Sequence, residues 1–320
     1  MTGSWIPVRV VERWTTAREI VALRLAPEDG VLPDVEAGSH IDVEIAAGLI
    51  RQYSLTNPPG EAVDYVIGIK LENPSRGGSR AIHEGMRVGD RLRISRPRNS
   101  FALDAEGDTA LLIAGGIGVT PLLAMARALQ AERRPFAMHY FARSAEHVAF
   151  LEILEALGAA CTVRLGLDPT ATAAALTSLL ARRQAGGHLY ACGPGPMLDV
   201  TLKIASDVGW PMQYVHSERF TAVASGVTAE SESAFEVVLA RQGCRVQVPA
   251  GVSIVEALRQ RDIDIPTSCE KGICGTCVTN VIEGQPDHCD SFLDDAQKAR
   301  GDCLLPCVSR SLTRRLVLDL

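Results

Sequence analysis

Four cysteines have the types and spacing to do chemistry. Cys269, Cys274 and Cys277 form a Cys-x4-Cys-x2-Cys run, and Cys307 follows after twenty-nine intervening residues. Four thiolates at these intervals are the plant-type ligand set of a [2Fe–2S] cluster. A loop wrapped around two irons and two sulfides brings its amides close to inorganic sulfur. Gly272 and Gly275 permit that approach, because glycine has no Cβ and tolerates positive φ. A structural zinc site is the alternative, but zinc knuckles usually carry two Cys-x2-Cys pairs or added histidines, and this chain has one such pair.

The remaining cysteines sort by setting. Cys161 and Cys244 fall in expected strands and read as buried thiols. Cys303 precedes Cys307 by four residues and could in principle replace it, and Cys289 beside His288 is either a histidine–cysteine site or part of a surface loop. Cys192 closes an expected strand just before Gly193-Pro194; it is either a small apolar residue at a strand end or a group in a ligand site, and its setting favours the site.

Two further stretches suit phosphates. Arg51-Gln52-Tyr53-Ser54-Leu55 is followed, after the strand Tyr65 to Lys70, by Arg76-Gly77-Gly78-Ser79 at the start of a short helix, Arg80 to Ile82. A glycine pair at a helix N-terminus offers free N–H donors and the positive dipole end, and Arg51 and Arg76 can pair with phosphate oxygens. Read alone, the glycine pair is equally a plain loop and Arg51 a solvated strand residue. Further on, Thr109 to Ala114 is a continuous apolar run, and Gly115-Gly116-Ile117-Gly118-Val119-Thr120-Pro121 turns it into a helix, Leu122 to Gln130. A buried strand, a glycine turn and a helix open a nucleotide-binding βαβ unit, although the turn is not G-x-G-x-x-G.

These sites must be positioned by a chain of 320 residues, long enough for two or three domains. The first hundred residues hold short alternating segments, at Val8–Val11, Ile20–Leu25, Ile41–Ile45, Tyr65–Ile69 and Arg91–Ile94, parted by Gly, Pro, Asn and Asp, as in an antiparallel barrel or sandwich. Strands at Phe136–Phe141, Cys161–Leu165 and His188–Ala191, alternating with helices, predict a doubly wound parallel sheet. Residues 221–233, small and polar without period, read as a flexible linker. Beyond them come a hairpin, Phe235–Ala240 with Cys244–Val248, a helix Ile254–Arg261, and the cysteine loop. The expected division is 1–104, 105–222, a linker at 223–233, and 234–320. A net charge of −6 excludes a general nucleic-acid binder. No apolar run is long enough to span a membrane, and without an export signal the expected location is the cytoplasm.

Arg51-Gln52-Tyr53-Ser54, Arg76-Gly77-Gly78-Ser79, the Gly115 to Pro121 turn, Cys192-Gly193-Pro194 and the cluster cysteines stand in an order that resembles the phthalate dioxygenase reductase family. That family, which includes the vanillate O-demethylase reductases, lies within the ferredoxin–NADP reductase superfamily, and the resemblance covers essentially the whole chain. It implies a multi-domain α+β protein: an antiparallel β-barrel flavin domain, a doubly wound parallel α/β nicotinamide domain and a C-terminal β-grasp ferredoxin of plant type. By likeness, Arg51 pairs with phosphate, Tyr53 lies along the flavin and Ser54 hydrogen-bonds near N5. Gln52 belongs to the same motif. Gly77, Gly78 and Ser79, with Arg76, hold the terminal phosphate of FMN, while Ile69 and Lys70 contact the ring or ribityl chain. Gly116, Gly118, Thr120 and Pro121 shape the nicotinamide site, and Cys192 and Gly193 lie near its reactive end. Glu218 and Phe220 match an E-x-F pattern beside the flavin. Ser54, Cys192 and Phe220 are then the implied catalytic set, and Cys307-Val308-Ser309-Arg310 matches the family ending, favouring Cys307 over Cys303. Arg143 and Ser144 are the only groups after the second strand suited to a 2′-phosphate, with Glu146 opposing, so NADH is favoured over NADPH, as FMN is over FAD.

The implied function is the reductase of a two-component oxygenase: NADH reduces FMN, FMN passes single electrons to the cluster, and the cluster serves a Rieske-type non-haem iron oxygenase acting on an aromatic acid or ether. The expected reductase is a monomer. Alternatives are a reductase feeding a haem-thiolate monooxygenase and a redox-sensing protein without turnover. Residues 235–320 carry twelve acidic and ten basic side chains, so no docking face is legible in their charge. Shortening residues 221–233 is expected to slow electron delivery to the partner while sparing flavin reduction, as stopped-flow absorbance of each step would report.

Overall fold

The computed structural model describes every residue except 1–4, 47–48, 74, 76, 185, 221–232, 262, 264, 268–271 and 273–274. Arg76, Cys269 and Cys274 therefore lie outside the described residues, as does the expected linker up to residue 232. The chain divides into two compact units, 1–220 and 221–320.

The first unit opens with β1 (Ile6–Ala17), β2 (Ile20–Pro27), β3 (His40–Ala46), β4 (Leu49–Ser54) and β5 (Tyr65–Lys70), then α1 (Gly78–Gly85) and β6 (Arg91–Ile94). These strands form one antiparallel sheet in the order β4-β3-β6-β1-β2-β5. Its two edges meet: Leu55 bridges Ile67, and the Thr56 amide donates to the Val66 carbonyl at 3.0 Å, closing the sheet into a barrel.

β2 and β5 depart from the expected alternation, being apolar and buried on successive residues, and pleating explains why. Val21, Leu23, Leu25, Tyr65, Ile67 and Ile69 fill the barrel, while Ile20, Ala22 and Val66 belong to a second core outside it. Both faces are thus removed from water, and each fully buried aliphatic side chain contributes on the order of 1.5–3 kcal/mol.

The chain continues through β7 (Thr109–Gly115), α2 (Val119–Ala131), β8 (Phe136–Ala142), α3 (Leu151–Ala156), β9 (Cys161–Leu165), α4 (Pro169–Leu180), β10 (Gly187–Cys192), α5 (Gly195–Asp207) and β11 (Val215–Glu218); β7, α2, β8, α3, β9 and β10 complete that second core, while α4, α5 and β11 pack with Ile113, Phe141 and Leu189 in a third. The strands form a wholly parallel sheet in the order β11-β10-β7-β8-β9. The chain leaves β7 toward β8 and β9, then crosses to β10 on the other side. Such a reversal opens a crevice at the carboxyl ends of the two strands, here β7 and β10. Helix α2 runs from this crevice and is buried along most of its length, including Leu122, Leu123, Met125 and Leu129. Strand β11 escapes a reading for hydrophobic pattern, since His216, Ser217 and Glu218 make up most of it.

The second unit contains β12 (Phe235–Leu239), β13 (Cys244–Val248), α6 (Ile254–Arg259), β14 (Thr279–Glu283), β15 (Pro286–Asp287), α7 (Asp295–Arg300), β16 (Cys303–Leu304), β17 (Arg310–Ser311) and β18 (Arg315–Leu318). A mixed sheet, β13-β12-β18-β14-β16, pairs β12 parallel to β18 and packs Ile254 and Leu258 of α6 on Val237, Val246 and Leu316. The buried Arg310 guanidinium donates to the carbonyls of Val252, Pro249 and Ser233 and lies 5.1 Å from the Phe235 ring.

Candidate functional site

At the crevice of the first unit two loops touch directly. A Cβ built on Gly118 would strike the Cys192 carbonyl and come within 2.6 Å of the Gly193 amide nitrogen, so glycine is required for the turn after β7 to lie flat on the turn after β10. Gly116 has φ +53 with open space where a side chain would stand. Helix α2 starts without a side-chain cap, and the 3-10 turn that leads into it takes up the Val119 amide, which donates to Gly116 O and Ile117 O. Pro121 sits within that first turn, where no donor is needed, and the Thr120 hydroxyl donates to Ile117 O at 3.0 Å. These groups fit a dinucleotide phosphate.

Cys192 and Glu218 are register partners on β10 and β11. Burial pushes the Glu218 carboxyl up to about 8, and its Oε2 has no hydrogen-bond partner. Burial, with the nearby Glu218 adding to it, raises the Cys192 thiol well above its ordinary value. Both groups therefore stay neutral at neutral pH. Phe220 packs against the core shared by sheet and barrel. Arg143 follows β8, and its guanidinium is paired with Glu19 at 3.4 Å.

The barrel residues converge at the other side of the same core. Gly68 of β5 accepts the Phe150 ring and the Thr120 methyl, each 3.0 Å from a Cβ built there, so the strand carrying Ile69 and Lys70 abuts the loop carrying Thr120. Arg51 lies across Gly78, where a Cβ would meet its Cγ at 2.6 Å, and donates to Ile50 O at 2.7 Å. Gly77, at φ +91 with nothing near its missing side chain, begins α1 without a side-chain cap. Ser79 Oγ accepts the Glu72 amide at 3.2 Å, shaping that loop. Lys70 pairs with Glu72 at 3.4 Å. Ser54 is buried, burial pushes the Tyr53 phenol up, and the buried Gln52 Nε2 lacks a partner. An uncapped helix start beside a guanidinium, with an unpartnered amide donor on the same strand, fits a phosphorylated flavin.

In the second unit the Cys277 and Cys307 side chains are buried in one apolar pocket with Val255, Leu293 and Leu305. Gly272 and Gly275 have φ +71 and +70. A Cβ on Gly272 would meet Val308 Cγ2 at 2.5 Å, and one on Gly275 would enter the Phe292 ring. A loop so pressed, with buried thiols behind it, fits a thiolate-held cluster. Cys303 instead pairs with Asn280 in the β14–β16 ladder, and burial raises the thiols of Cys303 and Cys289.

Asp290 is a contributor that spacing does not reveal. Its carboxylate, fully buried, accepts the Phe292 amide at 3.2 Å, the Leu293 amide at 2.8 Å and Ser309 Oγ at 3.4 Å. The adjacent Ser291 amide donates to Gly272 O at 2.9 Å. Asp290 thereby joins the Gly272 loop to the segment following Cys307, and only the run of polar residues before Phe292 hints at it in the sequence.

Two families match by sequence: one described as "2Fe-2S iron-sulfur cluster binding domain" over residues 237–312, and the N-terminal domain of a dimethylamine monooxygenase subunit over residues 92–215. A vanillate O-demethylase oxidoreductase of a Pseudomonas species is 46% identical, over 95% of this chain and 96% of its own. A solved phthalate dioxygenase reductase, titled a modular structure for electron transfer from pyridine nucleotides to [2Fe–2S], is 35% identical, with a TM-score of 0.79 over 99% of this chain and 98% of its own. An intact type IV self-sufficient cytochrome P450 monooxygenase is 34% identical, with a TM-score of 0.80 over 99% of this chain but 41% of its own. Barrel, parallel sheet and cluster-binding domain in one chain define an iron–sulfur oxidoreductase. The chain belongs to the phthalate dioxygenase reductase family. Among the described residues no helix is long and apolar enough to cross a membrane.

Two outcomes follow from the buried carboxyls. Glu218 ionises near 4.5 when unfolded and near 8 when folded, so folding retains a proton and its stability contribution is lost as pH rises between those values. The melting temperature of Glu218→Gln minus that of the wild type is expected to grow across this window and level off above it, measured by scanning calorimetry. Asp290→Ala leaves the buried Leu293 amide unpaired, costing about 1–3 kcal/mol, and loosens the part-buried Phe292 amide; it is expected to lower the iron content per chain and the melting temperature of the second unit by roughly 5–10 °C or more.

Proposed function

We propose that this chain is the reductase component of a two-component aromatic-ring oxygenase or O-demethylase, moving electrons from NADH through FMN and a [2Fe–2S] cluster to a Rieske-type oxygenase. The observation that carries the reading is the contact of Gly68 with Thr120, which sets the candidate flavin strand against the candidate nucleotide loop, on a chain that also has a cluster-binding domain. Bound there, FMN supplies what the pair of end reactants lacks, acceptance of two electrons as hydride and their release one at a time.

The chain's own residues position and insulate. Arg51 and the start of α1 hold the flavin phosphate, with Ser54 and Tyr53 against the ring and Gln52 Nε2 supplying a donor. Gly116, Gly118 and the start of α2 hold the nucleotide pyrophosphate. Neutral Cys192 and Glu218 put no fixed negative charge beside the hydride path, and Phe220 excludes water from it. Cys269, Cys274, Cys277 and Cys307 ligate the cluster. In this reading 1–104 binds flavin, 105–222 binds nucleotide, 223–233 links, and 234–320 carries the cluster in a cytosolic monomer.

Supply of a haem-thiolate monooxygenase is a second reading, favoured by the likeness to the self-sufficient P450 enzyme. Anaerobic titration with NADH, with extracted flavin identified by chromatography, tests the shared core: flavin bleaching with loss of the iron–sulfur bands, and FMN in the extract, is the expected result. A protein that holds zinc and no flavin would sink it. Reconstitution with purified Rieske or haem oxygenases then separates the two partners.

A further inference from the structure

We propose that Phe150, the residue leading into α3, is a positioning residue for the reaction between flavin and nicotinamide: its ring fixes the separation between strand β5 and the turn after β7. The inference rests on the flavin and nucleotide roles proposed above.

The backbone of Phe150 is held in an unusual conformation. It adopts φ +57 and ψ +42, the left-handed region, which for a bulky side chain is a genuine outlier. Strain of this kind persists only where the surroundings over-determine it. The Phe150 amide donates to Thr16 Oγ1 of β1 at 2.6 Å, and its carbonyl accepts the Ile153 and Leu154 amides of α3 at 3.0 and 3.1 Å. The preceding Ala149 amide donates to the Tyr140 hydroxyl of β8 at 3.3 Å. Phe150 is thus fastened to the barrel on one side and to the parallel sheet on the other. Glycine would take the same φ without strain, so the backbone alone does not call for an aromatic residue.

The ring accounts for it. Phe150 is 5% exposed, and its Cε2 and Cζ each stand 3.0 Å from a Cβ built on Gly68, as does the Thr120 methyl. Gly68 pairs with Ala22 of β2, so β5 cannot recoil from the ring without disturbing the barrel wall. Strand, ring and turn therefore meet at one point. Ile69 and Lys70 follow Gly68 directly on the strand assigned to flavin, and Pro121 follows Thr120 in the turn assigned to the nucleotide. In an interior packed at crystal-like density, a smaller side chain here leaves a gap that strand and turn fill by shifting. A misplacement of about 1 Å between reacting groups can cost ~10²-fold in rate, even when the change lies away from the chemistry.

The test uses the full-length, FMN-loaded protein, with rates expressed per bound FMN. Phe150→Gly removes the ring and relieves the backbone, Phe150→Leu keeps an apolar side chain of smaller volume, and Leu129→Ala is the control. Leu129 is fully buried in the same core but stands nine residues along α2 from Thr120. Anaerobic stopped-flow reduction over a range of NADH concentrations separates the limiting rate of flavin reduction from the Kd for NADH. The flavin difference spectrum with saturating tetrahydro-NAD, an analogue that donates no hydride, reports the contact of the two rings without turnover. The limiting rate is expected to fall ~10-fold or more in Phe150→Gly and ~3-fold in Phe150→Leu, with the Kd held within about two-fold and the difference spectrum weakened in the same order. Leu129→Ala is expected to lower the melting temperature while leaving the limiting rate and the difference spectrum within about two-fold of wild type.

A limiting rate in Phe150→Gly within about two-fold of wild type overturns the inference, as does an equal fall in Leu129→Ala, which would mark general loosening of the core. Should Phe150→Gly not fold, Phe150→Leu decides by the same two readouts. Failure of NADH to reduce the wild-type flavin at all overturns the functional reading itself, and this inference with it.

Discussion

The two-sided burial of β2 and β5 is the constraint on which the first unit depends. Their inward residues close the barrel, and their outward residues, Ile20, Ala22 and Val66, are part of the same core as α2. The distance from the β5 strand to the turn after β7 is therefore set by side-chain contact, tightest at Gly68. Electron and hydride transfer both fall off steeply with separation, so a packed junction is the natural place for a reaction between two bound cofactors.

Buried acids are handled differently in the two units. Around the β10 and β11 termini, burial keeps Glu218 and Cys192 neutral, and neither needs a counter-ion. In the second unit the Asp290 carboxylate is also fully buried, but backbone amides and the nearby Lys298 surround it. Burial of an unpartnered acid favours its neutral form, whereas donors around a buried oxygen satisfy its hydrogen-bonding capacity. The first arrangement leaves polar capacity for a ligand; the second spends it on fixing a loop.

Most of the framework was legible in the sequence because it rests on local pattern. The run Thr109 to Ala114 is apolar throughout because a parallel strand is covered on both faces, and the glycines after it mark a turn that must lie flat. Strands β14 to β18 were not legible: two to five residues long, they have too little pattern to detect, and their pairing is decided by the sheet around them. The glycines, Arg51 and the cysteines of the site announce themselves through neighbours in the chain. Asp290 does not, because the Ser309 hydroxyl that donates to it is distant in sequence and its nearer donors, the Phe292 and Leu293 amides, are main-chain groups that any sequence supplies. The linker reading falls outside the described residues.

The bond from Arg310 to the Ser233 carbonyl has a mechanical side. Ser233 lies just ahead of β12, and Arg310 stands three residues past Cys307. The same side chain grips Val252 and Pro249, so three stretches distant in sequence share one guanidinium. Arg310 is in that sense a splice: a displacement at residue 233 or in the loop before α6 is carried through it toward the segment that holds Cys307.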